Sequence, residues 1–149
     1  NHFKKMNYIS GSTAYILGIL KTLFTFNSIH ASVEIDGATF NKNILLAAVA
    51  NGKCYGGGVK ISPKSIINDG AFDICLVDNT SKLKIFFFFP KAIKGTHESI
   101  KEVSFYKGKK ITIMSQEEFV LNIDGELFKE KKATFEMIHN GIKVLMPRE

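Results

Sequence analysis

Short apolar runs broken by glycine-bearing turns limit the fold of this chain more than any other feature. Val33-Glu34-Ile35 and Ala38-Thr39-Phe40 flank Asp36-Gly37, a hairpin signal, because Asp-Gly accepts the positive φ of a tight two-residue turn. Ile44–Ala50 is a continuous apolar run of strand length and predicts a strand buried on both faces. Phe72–Val77, Val103–Tyr106, Ile111–Met114 and Phe119–Ile123 are further strand candidates. Ala133–Ile138 and Ile142–Met146 flank His139-Asn140-Gly141, which predicts a closing hairpin before Pro147. Strands at this spacing predict a mainly β fold, an antiparallel β-sandwich.

Two segments read as helices instead. From Ser12, the residues Ile16, Leu17, Ile19, Leu20, Leu23 and Phe24 repeat with the spacing of one buried helical face. Ser10 or Ser12 caps this N-terminal helix and Asn27-Ser28 ends it. Leu83–Phe89 has four consecutive phenylalanines, with Thr80 or Ser81 before it and Gly95 after it. Those flanks are helix caps, so a short internal helix is predicted there despite Pro90. No repeat, charge block or Pro/Ser-rich linker divides the 149 residues, so a single domain is expected.

Composition excludes several classes. With 45% hydrophobic and 23% charged residues, the chain is neither disordered nor fibrous. Apolar stretches such as Ile44–Ala50 and Ile85–Phe89 fall far short of the roughly 18–20 residues that span a bilayer. No secretory signal is visible at the start. Cys54 and Cys75 form no CxxC pair or disulfide framework, which suits a reducing, cytoplasmic setting. The net charge of +6 invites a polyanionic partner. Yet 19 of the 20 basic residues are lysine, and Arg148 is the sole arginine. Nucleic-acid readers favour arginine, so nucleic acid is not the expected partner. The clusters Lys107/Lys109/Lys110 and Lys129/Lys131/Lys132 read first as solvated faces, and otherwise as contacts to anionic lipid or a phosphorylated ligand.

Most standard chemical signatures are absent. Gly56-Gly57-Gly58 fits neither dinucleotide nor P-loop spacing. His2, His30, His97 and His139 are far apart and show no metal-binding spacing. No nucleophile elbow is present, and Cys75, inside an apolar strand, is expected to pack. Three polar stretches beside apolar strands remain. Asn51–Gly58 holds Asn51 and the glycines Gly56, Gly57 and Gly58, where the backbone can approach another segment or a ligand. Asn68-Asp69-Gly70-Ala71 places Asp69 either as a turn residue or as a ligand for a hard cation. Asn122-Ile123-Asp124-Gly125-Glu126 pairs two carboxylates at i and i+2. They share a face if the strand continues, unless Gly125 bends it, and they would suit a general base.

In order along the chain, these pieces resemble the C-terminal domain of bacterial diacylglycerol kinase-like lipid kinases, relatives of the sphingosine kinases. The resemblance rests on Ala50-Asn51-Gly52, Tyr55-Gly56-Gly57-Gly58, Ile61-Ser62-Pro63 and Asn68-Asp69-Gly70-Ala71-Phe72-Asp73. It continues through Lys94-Gly95-Thr96-His97, Ile123-Asp124-Gly125-Glu126 and Val144-Leu145-Met146-Pro147. It runs from the N-terminal helix to Pro147.

The resemblance implies the β-rich, lipid-binding half of a two-domain ATP-dependent kinase, with the active site in the cleft between halves. The Gly-Gly-Asp-Gly-Thr nucleotide motif of the other half is missing from these residues, so this piece alone is not expected to turn over ATP. By resemblance, Glu126 aligns with the proton acceptor, with Asp124 beside it. Asp69 aligns with a Mg²⁺ ligand, accompanied by the backbone carbonyls of Ile66 and Ala71. The substrate would be a lipid hydroxyl such as that of diacylglycerol, reached by peripheral contact with an anionic membrane. Pairing of exposed sheet edges would allow a homodimer. The alternatives are a non-catalytic lipid- or small-ligand-binding β-sandwich, and an NAD kinase-like domain.

Overall fold

A computed structural model describes residues 27–143 together with Gly18, Thr25 and Leu145. Its strands are β1 (Ile29–Ile35), β2 (Ala38–Ala50), β3 (Phe72–Asp78), β4 (Val103–Gly108), β5 (Lys110–Ile123) and β6 (Glu126–Glu136). They form a six-stranded sheet in the order β4-β3-β2-β1-β5-β6, with antiparallel neighbours throughout. One helix, α1 (Lys82–Lys94), and short 3₁₀ turns at Gly56–Gly58 and His97–Ser99 complete the described elements. The mainly β expectation holds.

The apolar runs explain the layering. Along β3, Ile74 and Leu76 point to one side, where Ala31, Val33, Ile35, Ile111 and Ile113 pack with them. Cys75 points to the other side, against Ala48, Ala50 and Ile61. Strand β2 is likewise buried on both faces, as its unbroken apolar run predicts. A register shift between Ile44 and Leu46 lets Ile44 join the first cluster while Leu46 and Ala48 serve the second. A bulge changes which face later residues occupy, because side chains alternate along a strand.

The turns follow their residues. Asp36 (φ 48°) and Gly37 (φ 89°) close β1 to β2. The Asp36 carboxylate also accepts from the Lys109 and Lys110 amides, at 3.0 and 2.8 Å, and so ties this turn to the start of β5. Those two amides hold its carboxyl below the ordinary aspartate value. In α1, Ser81 Oγ accepts from the Lys84 amide at the N-terminus, and Gly95, at φ 75°, ends the helix. Pro90 cannot donate to the carbonyl of Phe86, but Phe86 lies on the exposed side of α1, where water can serve that carbonyl.

Two expectations need correction. Ile111–Met114 and Phe119–Ile123 belong to one strand, β5, whose pairing with β6 is irregular between Met114 and Phe119. Ser115 Oγ stabilises the irregularity by donating to the His30 carbonyl at 2.9 Å while accepting from the Glu117 amide. Among the described residues the closing hairpin also does not form. Asn140 adopts the expected positive φ of 56° and Gly141 bonds back to Ile138, but β6 ends at Glu136 and Ile142 and Lys143 belong to no strand. Pairing with β5 is not the obstacle, because β6 is the last strand of the sheet and its second edge has no partner among the described residues; the turn forms without a strand following it. The predicted N-terminal helix lies outside the described residues, save Gly18 and Thr25, which are helical.

Leu76 is fully enclosed on β3. Leu76→Ala is expected to lower stability by about 2–5 kcal/mol. Leu83→Ala, at a position 68% exposed, should change it by less than about 0.5 kcal/mol. Urea unfolding of the two variants checks this, and equal losses would contradict the layering.

Candidate functional site

The acidic triplet closes the β5–β6 hairpin. Ile123 pairs with Glu126, and Asp124 (φ 49°) and Gly125 (φ 103°) form the two-residue loop between them. Asn122 Oδ1 accepts from the Gly125 amide at 2.9 Å and fixes the turn. Asp124 and Glu126 therefore do not share a face of one strand. The chain reverses at Gly125, leaving Asp124 in the loop and Glu126 as the first residue of β6. Both carboxylates are exposed. The same hairpin presents Val120, Ile123, Leu127 and Phe128 to solvent, an unusually apolar surface for a β arm.

The inner side of this hairpin borders a cavity of about 840 Å³. Its wall includes Leu46, Ala48, Ile61, Phe88, Phe89, Phe119 and Leu127, with Asn122 near the acidic turn. Helix α1 supplies Ile85, Phe88, Phe89 and Ala92, so the apolar helix predicted from Leu83–Phe89 forms one wall. This volume lies within the range of small-molecule pockets, and its lining suits an acyl chain.

The Asp69 loop sits elsewhere, at the β3–β4 side of the sheet. Asp69 Oδ1 accepts from the Ala71 amide at 3.1 Å, and its own amide bonds weakly to the Ile66 carbonyl at 3.4 Å. Its Oδ2 lies 2.5 Å from Lys107 Nζ, and Lys107 also stands opposite Asp73 in the β3–β4 register. The Lys107 ammonium, followed by the Ala71 amide, holds the Asp69 carboxyl below its ordinary value, while Asp69 raises Lys107. Gly70 is required here. It has φ 74°, and a Cβ would lie 2.6 Å from His139 Nδ1, so the loop packs directly on the C-terminal turn.

The donor chemistry of this loop, a carboxylate beside main-chain carbonyls, fits a hard cation. Lys107 is the competitor for that role, since its ammonium already neutralises Asp69. Sequence reading missed it by grouping Lys107 with the solvated lysines. The pair spans 38 residues and becomes visible only through β3–β4 pairing. Among the described residues, no three His, Cys, Asp or Glu side chains converge as a metal cluster.

Asn51 and Gly56–Gly58 lie between β2 and β3. Tyr55 N bonds to the Val59 carbonyl at 2.8 Å and Gly58 N to the Tyr55 carbonyl at 3.1 Å, which shapes the turn. Gly58 has φ 81°, and a Cβ there would meet nothing within 4 Å, so no protein segment presses on it. Cys75 packs as expected, its thiol pushed up to about 12 by burial and hence un-ionised at neutral pH. Thus the cavity wall reaches Asn122 and Leu127, which flank the acidic turn, while Asp124 and Glu126 lie outside it and the Asp69 loop lies across the sheet.

The profile of the YegS C-terminal NAD kinase beta sandwich-like domain matches residues 1–146. The chain belongs to that family. Its sandwich-like description agrees with the antiparallel sheet found here. A diacylglycerol kinase of Bacillus subtilis (strain 168) is 27% identical over 145 residues, covering 97% of this chain and 48% of that protein. A protein of Shewanella frigidimarina (strain NCIMB 400), named "Probable lipid kinase YegS-like", is 29% identical over 141 residues, covering 95% and 45%. A crystal structure of a diacylglycerol kinase from Bacillus anthracis str. Sterne superposes with a TM-score of 0.58 over 82% of this chain and 44% of its own. At 20% identity, that likeness speaks for the fold. The chain spans about half the length of the curated relatives it matches.

The pairing with Lys107 favours the ionised form of Asp69. Its contribution to stability is therefore complete above the ordinary value of 3.8 and is lost as pH falls through the lower folded-state value. In Lys107→Met, the Asp69 carboxyl should titrate closer to 3.8 than in the wild type. An NMR carboxyl titration measures this, and an unchanged midpoint would remove Lys107 as the cause.

Proposed function

We propose that this chain is the lipid-binding half of an ATP-dependent lipid kinase acting on a lipid hydroxyl such as that of diacylglycerol. The observation that carries the reading is the apolar cavity of about 840 Å³ whose wall runs to Asn122 and Leu127, beside the turn holding Asp124 and Glu126. The kinase names of the relatives support the same reading. In it, residues 1–149 form one domain, and a nucleotide-binding domain supplies most of the ATP site across a cleft. The exposed apolar side chains of the β5–β6 hairpin suit such a neighbour.

An alcohol is too weak an acid to ionise before it reacts. Glu126, with Asp124 beside it, therefore accepts the hydroxyl proton as the oxygen attacks the γ-phosphate. Position matters more than acidity in that step, and the rigid two-residue turn provides it. Asn51 and Gly56, Gly57 and Gly58 would border the nucleotide or substrate cleft. Asp69, with the Ile66 and Ala71 carbonyls, would hold Mg²⁺, and Lys107 would swing aside. A bound Mg²⁺ would order that loop and neutralise nearby phosphate charge.

A cytoplasmic kinase of this kind must dwell on the membrane that holds its substrate. Among the described residues, no helix is long and apolar enough to cross a bilayer. Helix α1 instead exposes Leu83, Phe86 and Phe87 by 68, 56 and 64%, with Lys84, Lys91 and Lys94 also exposed along it. An apolar stripe flanked by lysines suits the interface of an anionic bilayer.

Two measurements test the reading in the natural full-length polypeptide. Glu126→Gln should lower lipid phosphorylation by roughly 10²- to 10⁴-fold. If Glu126→Gln and Asp124→Asn both keep wild-type rates, the assignment of the base is wrong. Phe86→Ser/Phe87→Ser should weaken sedimentation with phosphatidylglycerol vesicles, and wild-type binding should fall as salt rises. Equal wild-type binding to neutral and anionic vesicles would count against peripheral electrostatic docking.

A further inference from the structure

Lys107 stands between two carboxylates. Its Nζ lies 2.5 Å from Asp69 Oδ2 and 3.9 Å from Asp73 Oδ1. Asp73 sits directly opposite it in the β3–β4 register, where facing residues bring their Cβ atoms about 5 Å apart. The lysine side chain is 47% exposed, so packing does not lock its flexible stem. Asp73 is only 14% exposed, and its Oδ2 has no hydrogen-bond partner. Both oxygens of Asp69 are engaged, so Asp73 is the less well served of the two. A recess of about 300 Å³ borders Asp73 and Lys107, and the other carboxylate on its wall, Glu98, is held by Lys64 at 2.8 Å. Among the described residues, Asp69 and Asp73 are therefore the two carboxylates that Lys107 can serve.

We propose that Lys107 passes from Asp69 to Asp73 when a divalent cation takes Asp69, so that Asp73, without being a ligand, is a positioning residue for that cation. This rests on the reading of Asp69 as a cation ligand given above. A divalent cation and an ammonium cannot both sit at bonding distance from Asp69 Oδ2, because like charges that close repel strongly. The displaced ammonium has two destinations, water or Asp73. Asp73 is the nearer, since Nζ has only to close from 3.9 Å to hydrogen-bond distance on Oδ1, the oxygen it already faces. That move also supplies the charged partner that a largely buried carboxylate requires. In the empty cluster two carboxylates share one ammonium. In the loaded cluster each carboxylate has its own cation, and the cost of evicting Lys107 is offset at Asp73.

The experiment titrates Mg²⁺, without nucleotide, into the natural full-length polypeptide and follows the Ala71 amide resonance beside Asp69. Four proteins are compared: wild type, Lys107→Met, Asp73→Asn and the double variant. Such a cycle reports how the Lys107–Asp73 interaction differs between the loaded and empty protein. Lys107→Met should bind Mg²⁺ more tightly than the wild type. Asp73→Asn should weaken binding by a factor at least about 3-fold larger in the wild type than in Lys107→Met, because only the wild type loses a destination for its ammonium. Equal factors, or a smaller one in the wild type, mean that Asp73 acts by its charge alone and overturn the exchange while leaving Asp69 as the ligand. An Ala71 amide that responds to Mg²⁺ as strongly in Asp69→Asn as in the wild type overturns both. If Asp73→Asn does not fold, the Asp73 carboxyl ¹³C resonance decides. A displacement by Mg²⁺ that is larger in the wild type than in Lys107→Met supports the exchange, and an equal or smaller one excludes it.

Discussion

The fold depends on an inner strand whose middle residues have no solvent face. Strand β3 is paired on both edges, to β2 and β4, and its Ile74, Cys75 and Leu76 are fully enclosed from both sides. Burying both faces removes the freedom of register that a half-exposed strand keeps, because a one-residue slip would exchange two complete sets of packing partners. The elements on either side inherit this constraint. One face of the sheet is closed by β1 and β5 residues, and the other accepts α1 and the segment from Val59 to Ile61. The apolar cavity is bounded by α1 and by members of both clusters, Ile44 and Ile113 from the first and Ala48 and Ile61 from the second.

Irregularities in the strands place the polar groups. The shift between Ile44 and Leu46 assigns β2 to both layers, and the one between Met114 and Phe119 separates the paired base of β5 from its outer arm. Below the second irregularity, β5 pairs with β1 and β6; beyond it, pairing is with β6 alone. The acidic turn therefore sits at the end of an arm, held by its own two-residue loop and Asn122. A carboxylate on such an arm keeps its water and can meet a second domain or a substrate, whereas one inside the sheet would require a charged partner. Asp69, in the loop before β3, differs in being engaged, since Lys107 and the Ala71 amide occupy both its oxygens.

Much of this was legible in the sequence wherever the signal was local. Asp36-Gly37 gave its hairpin, Ser81 and Gly95 bounded α1 in spite of Pro90, and the unbroken run at Ile44–Ala50 marked a strand buried on both faces. Asn140-Gly141 misled because a turn dipeptide states only a local backbone preference. The turn forms, but Gly141–Lys143 join no strand even though β6, at the end of the sheet, keeps a second edge with no partner among the described residues. The split of β5 into two strands had the same origin, since Ser115–Glu118 looks like a connection until Ser115 is seen holding the His30 carbonyl. The role of Lys107 was invisible for a different reason. Nothing local separates a lysine bonded across the sheet from one in water.

The cavity carries the remaining argument. Its wall is mainly apolar, with Asn27, Thr80, Glu117, Glu118 and Asn122 among its polar members, and each methylene moved there from water contributes about 0.8 kcal/mol. Chain length would thus set how tightly an occupant is held, without telling one lipid from another. Discrimination has to come from the few polar atoms in the wall, because a buried acceptor left unpaired costs more than a bond made to it contributes over water.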